Sequence, residues 1–164
     1  FNMEIIWAPW REKYVKTKKT KGCLFCIAAK SKADRKNYVL YRSRYFFSMF
    51  NIYPYNNGHI MIAPYRHIRD LNSLTNDEIA DLFTHFKKVY TRLNKCLKPH
   101  GYNIGLNLGK IAGAGIDKHI HIHIVPRWQG DTNFMPVISK TKVVPQALNK
   151  LYKDLREISE KVQK

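Results

Sequence analysis

The spacing of apolar positions divides the chain into short strands and two longer helices. Apolar residues recur with the 3.6-residue period of a helix up to about Leu97. Thr75 and Glu78 precede this stretch in the order of a capping box, which predicts that the helix begins directly after Thr75. A second amphipathic pattern follows Pro145 and predicts a C-terminal helix within residues 143–163.

Short runs of β-branched and aromatic residues, bounded by Pro, Gly and Asn, predict strands. The predicted strands are residues 38–41, 45–50, 59–64, 102–108 and 119–125. The long helix separates the first three from the last two, an order typical of an α+β fold with an antiparallel sheet of about five strands. A chain of 164 residues predicts one domain, 1–164, in which residues 1–21 form an irregular N-terminal extension.

The composition is strongly basic. Lys and Arg total 29 against 12 acidic residues, a formal net charge of +17. This charge indicates attraction to polyanions, either nucleic acid or nucleotide phosphates, and does not decide between them. The sequence contains neither a secretory signal nor an apolar run near the roughly 18 residues of a membrane span, so we expect no membrane partner. The odd count of three cysteines then favours the reducing cytoplasm.

Three histidines occupy alternate positions in the segment that ends at Pro126. Side chains alternate between the faces of a strand, so His119, His121 and His123 share one face and the intervening isoleucines share the other. Pro126 is predicted to end the strand. The histidine face has three interpretations: a half-exposed polar face, a metal site or a nucleophilic catalyst. Ligands at i, i+2 and i+4 are too far apart for one tetrahedral ion, so at most one or two of them bind a single metal.

A glycine-containing loop, residues 109–118, precedes the histidine segment. It is either a flexible hairpin loop or a backbone cradle for an anion, because glycine lets N–H groups approach a ligand closely. Beside it, a neutral imidazole is a competent nucleophile toward phosphorus near pH 7. The flanking imidazoles and Arg127 would bind the non-bridging oxygens as charge develops.

Cys23 and Cys26 form a C-x-x-C pair. Two thiolates at this spacing are half of a tetrahedral zinc site; a redox pair is the alternative, but its strand-then-helix setting is missing. The remaining two ligands should then be histidines. The candidates are His67, His119, His59, His85 and His100. The last two lie on the long helix or at its exit and are expected to be solvated.

Several motifs together resemble one family. They are His119-Ile-His121-Ile-His123-Ile-Val125, Cys23-Leu-Phe-Cys26, Asn51 eight residues before His59, His67, and Asn107 before the glycine loop. On these motifs the chain is similar to the histidine triad (HIT) superfamily over nearly its whole length. The motifs Trp7-Ala-Pro-Trp10-Arg11 and Pro54-Tyr-Asn-Asn-Gly58 more narrowly resemble a bacterial branch of diadenosine tetraphosphate phosphorylases.

The resemblance implies a homodimer whose antiparallel sheet continues across the interface. It also implies cleavage of dinucleoside polyphosphates, with His121 attacking the α-phosphorus and water or phosphate then releasing the nucleotide from a nucleotidyl-histidine. His59 would support the triad. The remaining contacts implied are Asn51 to the ribose, Ile52 and Phe50 near an adenine base, and Asn107, His123 and the loop amides of Ala114, Gly115 and Ile116 around the α-phosphate.

The resemblance further implies a structural zinc ion, and we expect no organic cofactor. The implied ligands are Cys23, Cys26, His67 and His119. One departure concerns Gly115 and Ile116, which stand where many members carry Gln, Ser or Thr. This departure weakens the case for a nucleoside phosphoramidase more than for polyphosphate cleavage. The residues also leave open a nucleotide- or nucleic-acid-binding module with little catalysis, and a hydrolase that uses the histidines as catalytic metal ligands.

Overall fold

The computed structural model describes residues 22–131 and 146–161. The elements in this part of the chain are α1 (Leu24–Lys30), β1 (Val39–Arg42), β2 (Phe46–Phe50), β3 (Ile60–Pro64), a 3₁₀ turn (Leu71–Ser73), α2 (Asn76–Leu97), β4 (Gly101–Leu106), β5 (Ile122–Arg127) and α3 (Leu148–Lys161). The five strands form one sheet in the order β1-β2-β3-β5-β4, and every neighbouring pair is antiparallel. The predicted α+β class and sheet are confirmed.

The long helix α2 begins and ends as its sequence predicts. The Thr75 side chain accepts a hydrogen bond from the Glu78 amide, and the Glu78 carboxylate accepts one from the Thr75 amide. This reciprocal arrangement satisfies two amides that the first helical turn leaves without partners. At the other end Lys98 adopts a left-handed conformation with φ 45°, and its amide donates to the Asn94 carbonyl. The helix therefore ends at Leu97.

The two faces of the sheet bury different sets of residues. On one face α2 and α3 cover the residues Leu40, Phe46, Phe50, Ile60, Ile62 and Ile124. On the other face α1 packs against Val39, Phe47, Met49, Met61 and Ala63. The alternation along β2 and β3 produces this division, because successive side chains of a strand point to opposite faces. The α1 face also carries the histidines of the candidate site.

The histidine segment is less regular than the sequence predicts. β5 begins at Ile122, and His119 lies in the connection before it. The register of β3 and β5 pairs Ile62 with Ile122, so its continuation would set Ala63 against His121 and then Pro64 against Ile120. Pro64 has no N–H for the ladder, and its carbonyl accepts a hydrogen bond from His119 Nε2 at 2.9 Å. The regular pairing therefore stops before it reaches the first two histidines.

The prediction that Pro126 ends the strand is wrong, because β5 continues through Pro126 to Arg127. The amide and carbonyl of a strand residue point to the same side. The Pro126 carbonyl accepts a hydrogen bond from Asn56 Nδ2 at 3.0 Å. The missing N–H therefore also faces Asn56 and not β4, where Pro126 is paired with Tyr102.

Two predictions about the helices need correction. The expectation that His85 is solvated is wrong, because this residue is completely buried in α2, while Phe83, an apolar residue of the same helix, is 69% exposed. His85 is enclosed because its ring packs on Tyr41 of β1 at 4.7 Å. α3 starts later than predicted, since the Ala147 carbonyl accepts the first helical hydrogen bond, from the Leu151 amide. None of the helices in the two described ranges is long and apolar enough to cross a membrane.

Candidate active site and metal centre

Four histidines meet on the α1 face of the sheet, where β3 and β5 are paired. The ring centroids of His121 and His123 are 4.8 Å apart, and those of His59 and His123 are 5.0 Å apart. His119 lies at the other end of the row, with its ring centroid 5.1 Å from that of His67. The structure thus brings together the triad and the supporting histidine that the sequence predicts.

His121 is held in the tautomer that a nucleophile needs. Its Nδ1 lies 2.9 Å from the backbone carbonyl of His119. A carbonyl only accepts, so Nδ1 carries the proton and Nε2 keeps its lone pair. Burial lowers the pKa of His121 below its ordinary value, although the carbonyl of His119 opposes this. The Phe25 ring packs at 4.7 Å and contributes to that burial. The imidazole is therefore neutral, with Nε2 free to attack.

His123 is held in the opposite tautomer through a chain of hydrogen bonds. The Tyr55 amide donates to His59 Nδ1 at 3.0 Å, so the proton of His59 must be on Nε2. His59 Nε2 then donates to His123 Nδ1 at 2.8 Å. His123 consequently carries its own proton on Nε2. Burial first, and the neighbouring histidines second, lower the pKa of His59 to about 3 and of His123 to about 4, so both rings are neutral near pH 7.

A pocket of about 440 Å³ opens beside these histidines. Eight of the predicted site residues line it: Phe50, Asn51, Ile52, Asn107, Gly115, Ile116, His121 and His123. Further lining residues are not predicted from the sequence, among them Leu24, Phe25, Lys36, Asn37, Tyr38, Met49, Tyr53, Tyr55 and Met61. Tyr55 belongs to a segment whose sequence predicts only a turn. An aromatic residue in the turn just before a buried histidine is the one signal that could have found it.

Two residues that were expected to contact the substrate, Ala114 and Arg127, do not line the pocket. The Ala114 amide donates to the Gly109 carbonyl at 3.3 Å, and Ala114 is absent from the pocket wall, so its N–H is already used inside the loop. The Arg127 guanidinium binds Asp131 through two hydrogen bonds, at 2.6 and 2.8 Å. Arg127 lies four residues beyond His123 on the strand, a distance of roughly 13 Å. The structure therefore does not bring Arg127 to the pocket.

The predicted metal ligands form a second cluster that shares His119 with the first. Their four ligand atoms, from Cys23, Cys26, His67 and His119, all lie within 4.8 Å of one another. The shorter S···N separations are 3.2 Å for Cys26–His67, 3.4 Å for Cys23–His119 and 3.6 Å for Cys26–His119. Zinc–ligand bonds at tetrahedral angles place S and N about 3.5 Å apart. The geometry therefore fits a zinc ion.

The protonation states of this cluster also fit a metal. His119 Nε2 donates to the Pro64 carbonyl, so Nδ1 presents a lone pair to the thiols. Burial lowers the pKa of His119, which keeps the imidazole neutral. Burial, and then the neighbouring Cys23, raise the pKa of the Cys26 thiol, a cost that a bound dication offsets. The cysteines at 23 and 26 are free thiols and not a disulfide.

Comparison with known proteins decides the family. Residues 32–130 match the HIT domain family. The chain belongs to this family. An AP-4-A phosphorylase of Mycobacterium tuberculosis is 36% identical to this HIT protein over 154 residues, which cover 89% of this chain and 79% of the relative. An adenosine 5'-monophosphoramidase of Saccharomyces cerevisiae is 29% identical over 134 residues, which cover 82% of this chain and 80% of that protein.

A solved HIT structure confirms the fold. A zinc-bound histidine triad family protein from Mycobacterium smegmatis superposes with a TM-score of 0.68 at 24% identity, over 87% of this chain and 96% of that one. The match supports the overall arrangement of sheet and helices.

Proposed function

We propose that this protein cleaves dinucleoside polyphosphates at the α-phosphorus through a nucleotidyl intermediate on His121. The observation that carries the proposal is the tautomer of His121: the His119 carbonyl fixes its Nδ1 proton and leaves the Nε2 lone pair in a nucleotide-sized pocket. The relative that is 36% identical and named AP-4-A phosphorylase supports diadenosine tetraphosphate as a substrate.

The proposed first step is a displacement at phosphorus. His121 Nε2 bonds to the α-phosphorus while the bond from phosphorus to the bridging oxygen breaks, and the polyphosphate leaves with that electron pair. The imidazole then carries a positive charge, which the His119 carbonyl stabilises through the Nδ1 proton. His123 Nε2–H donates to a non-bridging oxygen, as its fixed tautomer permits. Water or phosphate then attacks the same phosphorus and releases His121.

The proton positions favour a leaving group that needs no proton. Neutral His123 provides a hydrogen bond, but giving up its Nε2 proton would require His59 to pass its own proton to Nδ1. Within the described ranges, the one hydrogen bond that His59 in turn receives comes from the Tyr55 amide. A polyphosphate departs as a stable anion, whereas an amine does not. This supports polyphosphate cleavage over phosphoramidate cleavage, the activity named for the 29% identical relative.

The test is incubation of the protein with diadenosine tetraphosphate, with and without inorganic phosphate, followed by separation of the products. ADP and ATP formed only with phosphate identify a phosphorylase, whereas AMP and ATP identify a hydrolase. His121→Ala should abolish turnover and retain nucleotide binding. His100→Ala is the matched control, because His100 is exposed and accepts its hydrogen bond from the Gln129 amide, away from the pocket. Turnover that persists in His121→Ala contradicts the proposal.

We also propose that Cys23, Cys26, His67 and His119 bind one structural zinc ion. The tautomer of His119 and the 3.2–3.6 Å separations between sulfur and nitrogen support this. The cluster ties α1 and the His67 loop to the segment before β5, so the ion would stabilise the pocket wall. We assign it no catalytic step, since the pocket is lined by His121 and His123 and not by the thiols.

We further propose a homodimer in which the sheets of two copies continue through β4. β4 is one of the two outer strands of the sheet, and its side of the molecule exposes Ile104, Leu106 and Leu108. Tyr90 of α2 packs at 4.9 Å on Tyr102 of β4 and is itself partly exposed. An edge strand with free backbone groups and apolar side chains favours pairing with another strand. The cytoplasmic location and the nucleic-acid partner remain predictions from the sequence.

A further inference from the structure

The pocket wall contains a backbone conformation that needs an explanation. Tyr38 has φ 53°, a left-handed conformation that is strained for a bulky residue. α3 holds it in place: the Tyr38 hydroxyl donates to Asn149 Oδ1 at 2.7 Å, and its ring meets that of Tyr152 edge-on at 5.7 Å. The consequence of this sharp turn is that Asn37 and Tyr38 both line the pocket.

Asn37 is fixed in one amide orientation. Its Nδ2 donates to the Ala33 carbonyl at 3.1 Å, and its backbone N–H donates to the same oxygen at 3.1 Å. A carbonyl cannot donate, so the side-chain nitrogen must face Ala33. Asn37 Oδ1 accepts no hydrogen bond from the described part of the chain. The amide therefore presents an oriented acceptor at the pocket.

The neighbours of this acceptor identify what it would meet. The Phe50 amide donates to the Tyr38 carbonyl at 3.1 Å, so Asn37 adjoins the end of β2. Phe50 and Ile52 line the same pocket. The family resemblance implies that these two residues lie near the base of the bound nucleotide, and the inference rests on the proposed function. An acceptor beside an apolar base site meets the polar edge of the base.

We propose that Asn37 Oδ1 accepts a hydrogen bond from the exocyclic amino group of the base, so that the site selects a 6-aminopurine over a 6-oxopurine. Adenine carries an N6 amino donor at this position. Guanine and hypoxanthine carry an O6 acceptor there, which sets lone pair against lone pair. A single neutral hydrogen bond corresponds to about tenfold in affinity, and an unpaired acceptor adds to the discrimination.

The experiment measures binding of three 5'-monophosphates that differ only at position 6 and the adjoining N1: AMP, purine riboside monophosphate and IMP. Calorimetry on the full chain should give AMP the highest affinity, IMP the lowest, with a ratio of about tenfold or more. Purine riboside monophosphate, which lacks the exocyclic group, should lie between. Equal affinities for AMP and IMP in the unaltered protein overturn the inference, whatever the variants show.

Variants then test whether Asn37 is the source. Asn37→Ala should bring the AMP-to-IMP ratio to within about twofold, whereas Asn37→Asp retains an acceptor and should keep the order. Lys36→Ala is the control, because Lys36 lines the pocket beside Asn37 and should affect all three ligands by a similar factor. If Asn37→Ala keeps the AMP-to-IMP affinity ratio of the unaltered protein, another residue selects the base and the inference is overturned. If AMP itself does not bind, the proposed function fails as well.

Discussion

His85 should make the protein sensitive to acid. Its Nδ1 lies 2.8 Å from the Ser43 hydroxyl, which donates its own proton to Asp81 Oδ2 at 2.7 Å. His85 Nδ1 therefore donates, and Nε2 is a buried acceptor without a partner among the described residues. Burial is the main reason that the pKa of His85 is lowered to about 4; Asp81 opposes the shift, while Arg92 and Lys88 add to it.

The magnitude follows from the difference between the folded and unfolded pKa. The unfolded histidine titrates near 6.5 and the folded one near 4, so the unfolded state binds more protons across this interval. The free energy of unfolding therefore falls as the pH is lowered from 6.5 toward 4. At about pH 5, proton binding stabilises the unfolded state by about 2 kcal/mol relative to about pH 7.5.

The assay compares urea unfolding of the unaltered protein and of His85→Gln, followed by far-ultraviolet circular dichroism at about pH 7.5 and about pH 5. Glutamine does not titrate, so the variant lacks the contribution of this site whatever its starting stability. The unaltered protein should lose about 2 kcal/mol more than the variant between the two pH values. Losses that agree within about 0.5 kcal/mol would refute the reasoning. They would mean that the pKa of His85 does not differ between the folded and unfolded states.

Four further outcomes are expected. Elemental analysis should find about one zinc per chain and a loss of zinc in Cys23→Ser; unchanged zinc would exclude this ligand set. Ile104→Asp should convert a dimer into a monomer in sedimentation equilibrium, and a monomeric unaltered protein would contradict the proposed pairing through β4. His59→Phe should lower kcat by about 10- to 100-fold with little change in nucleotide affinity, because His123 loses the donor that keeps its proton on Nε2; an unchanged kcat would show that this proton position is unimportant. If the +17 charge serves to bind nucleic acid, a plot of log affinity for single-stranded DNA against log salt concentration should fall with a slope of several units. An affinity that does not change with salt would exclude nucleic acid as a partner.

The sequence predicts the elements well where one local pattern decides them. The capping box marks the start of α2, and the alternation along β2 and β3 separates the two faces of the sheet. The sequence does not predict the burial of a side chain when that burial depends on a contact with a residue distant in the chain. Burial of His85 depends on its contact with Tyr41 of β1, a residue distant in the sequence, and its place on the helix does not reveal this contact.

The same limit applies to the pocket. The triad and the metal ligands are visible in the sequence because each residue type carries its own chemistry. Asn37 carries no such signal, since its place in the pocket wall depends on a left-handed Tyr38 whose hydroxyl partner Asn149 is 111 residues away. Arg127 shows the converse case. Its charge suggests a phosphate contact, but Asp131, four residues further on, already binds it.

His119 explains why the histidine segment leaves the sheet at the point where it does. Its Nε2 donates to the Pro64 carbonyl, its Nδ1 faces the thiols, and its own carbonyl accepts the Nδ1 proton of His121. A carbonyl paired in the ladder to a neighbouring strand would be less available to orient a side chain. Pro64 ends the regular pairing, and the freed backbone of His119 then fixes the tautomer of the nucleophile. Alternate histidines therefore have different roles here, because the first two of them lie outside the regular strand, which begins at Ile122.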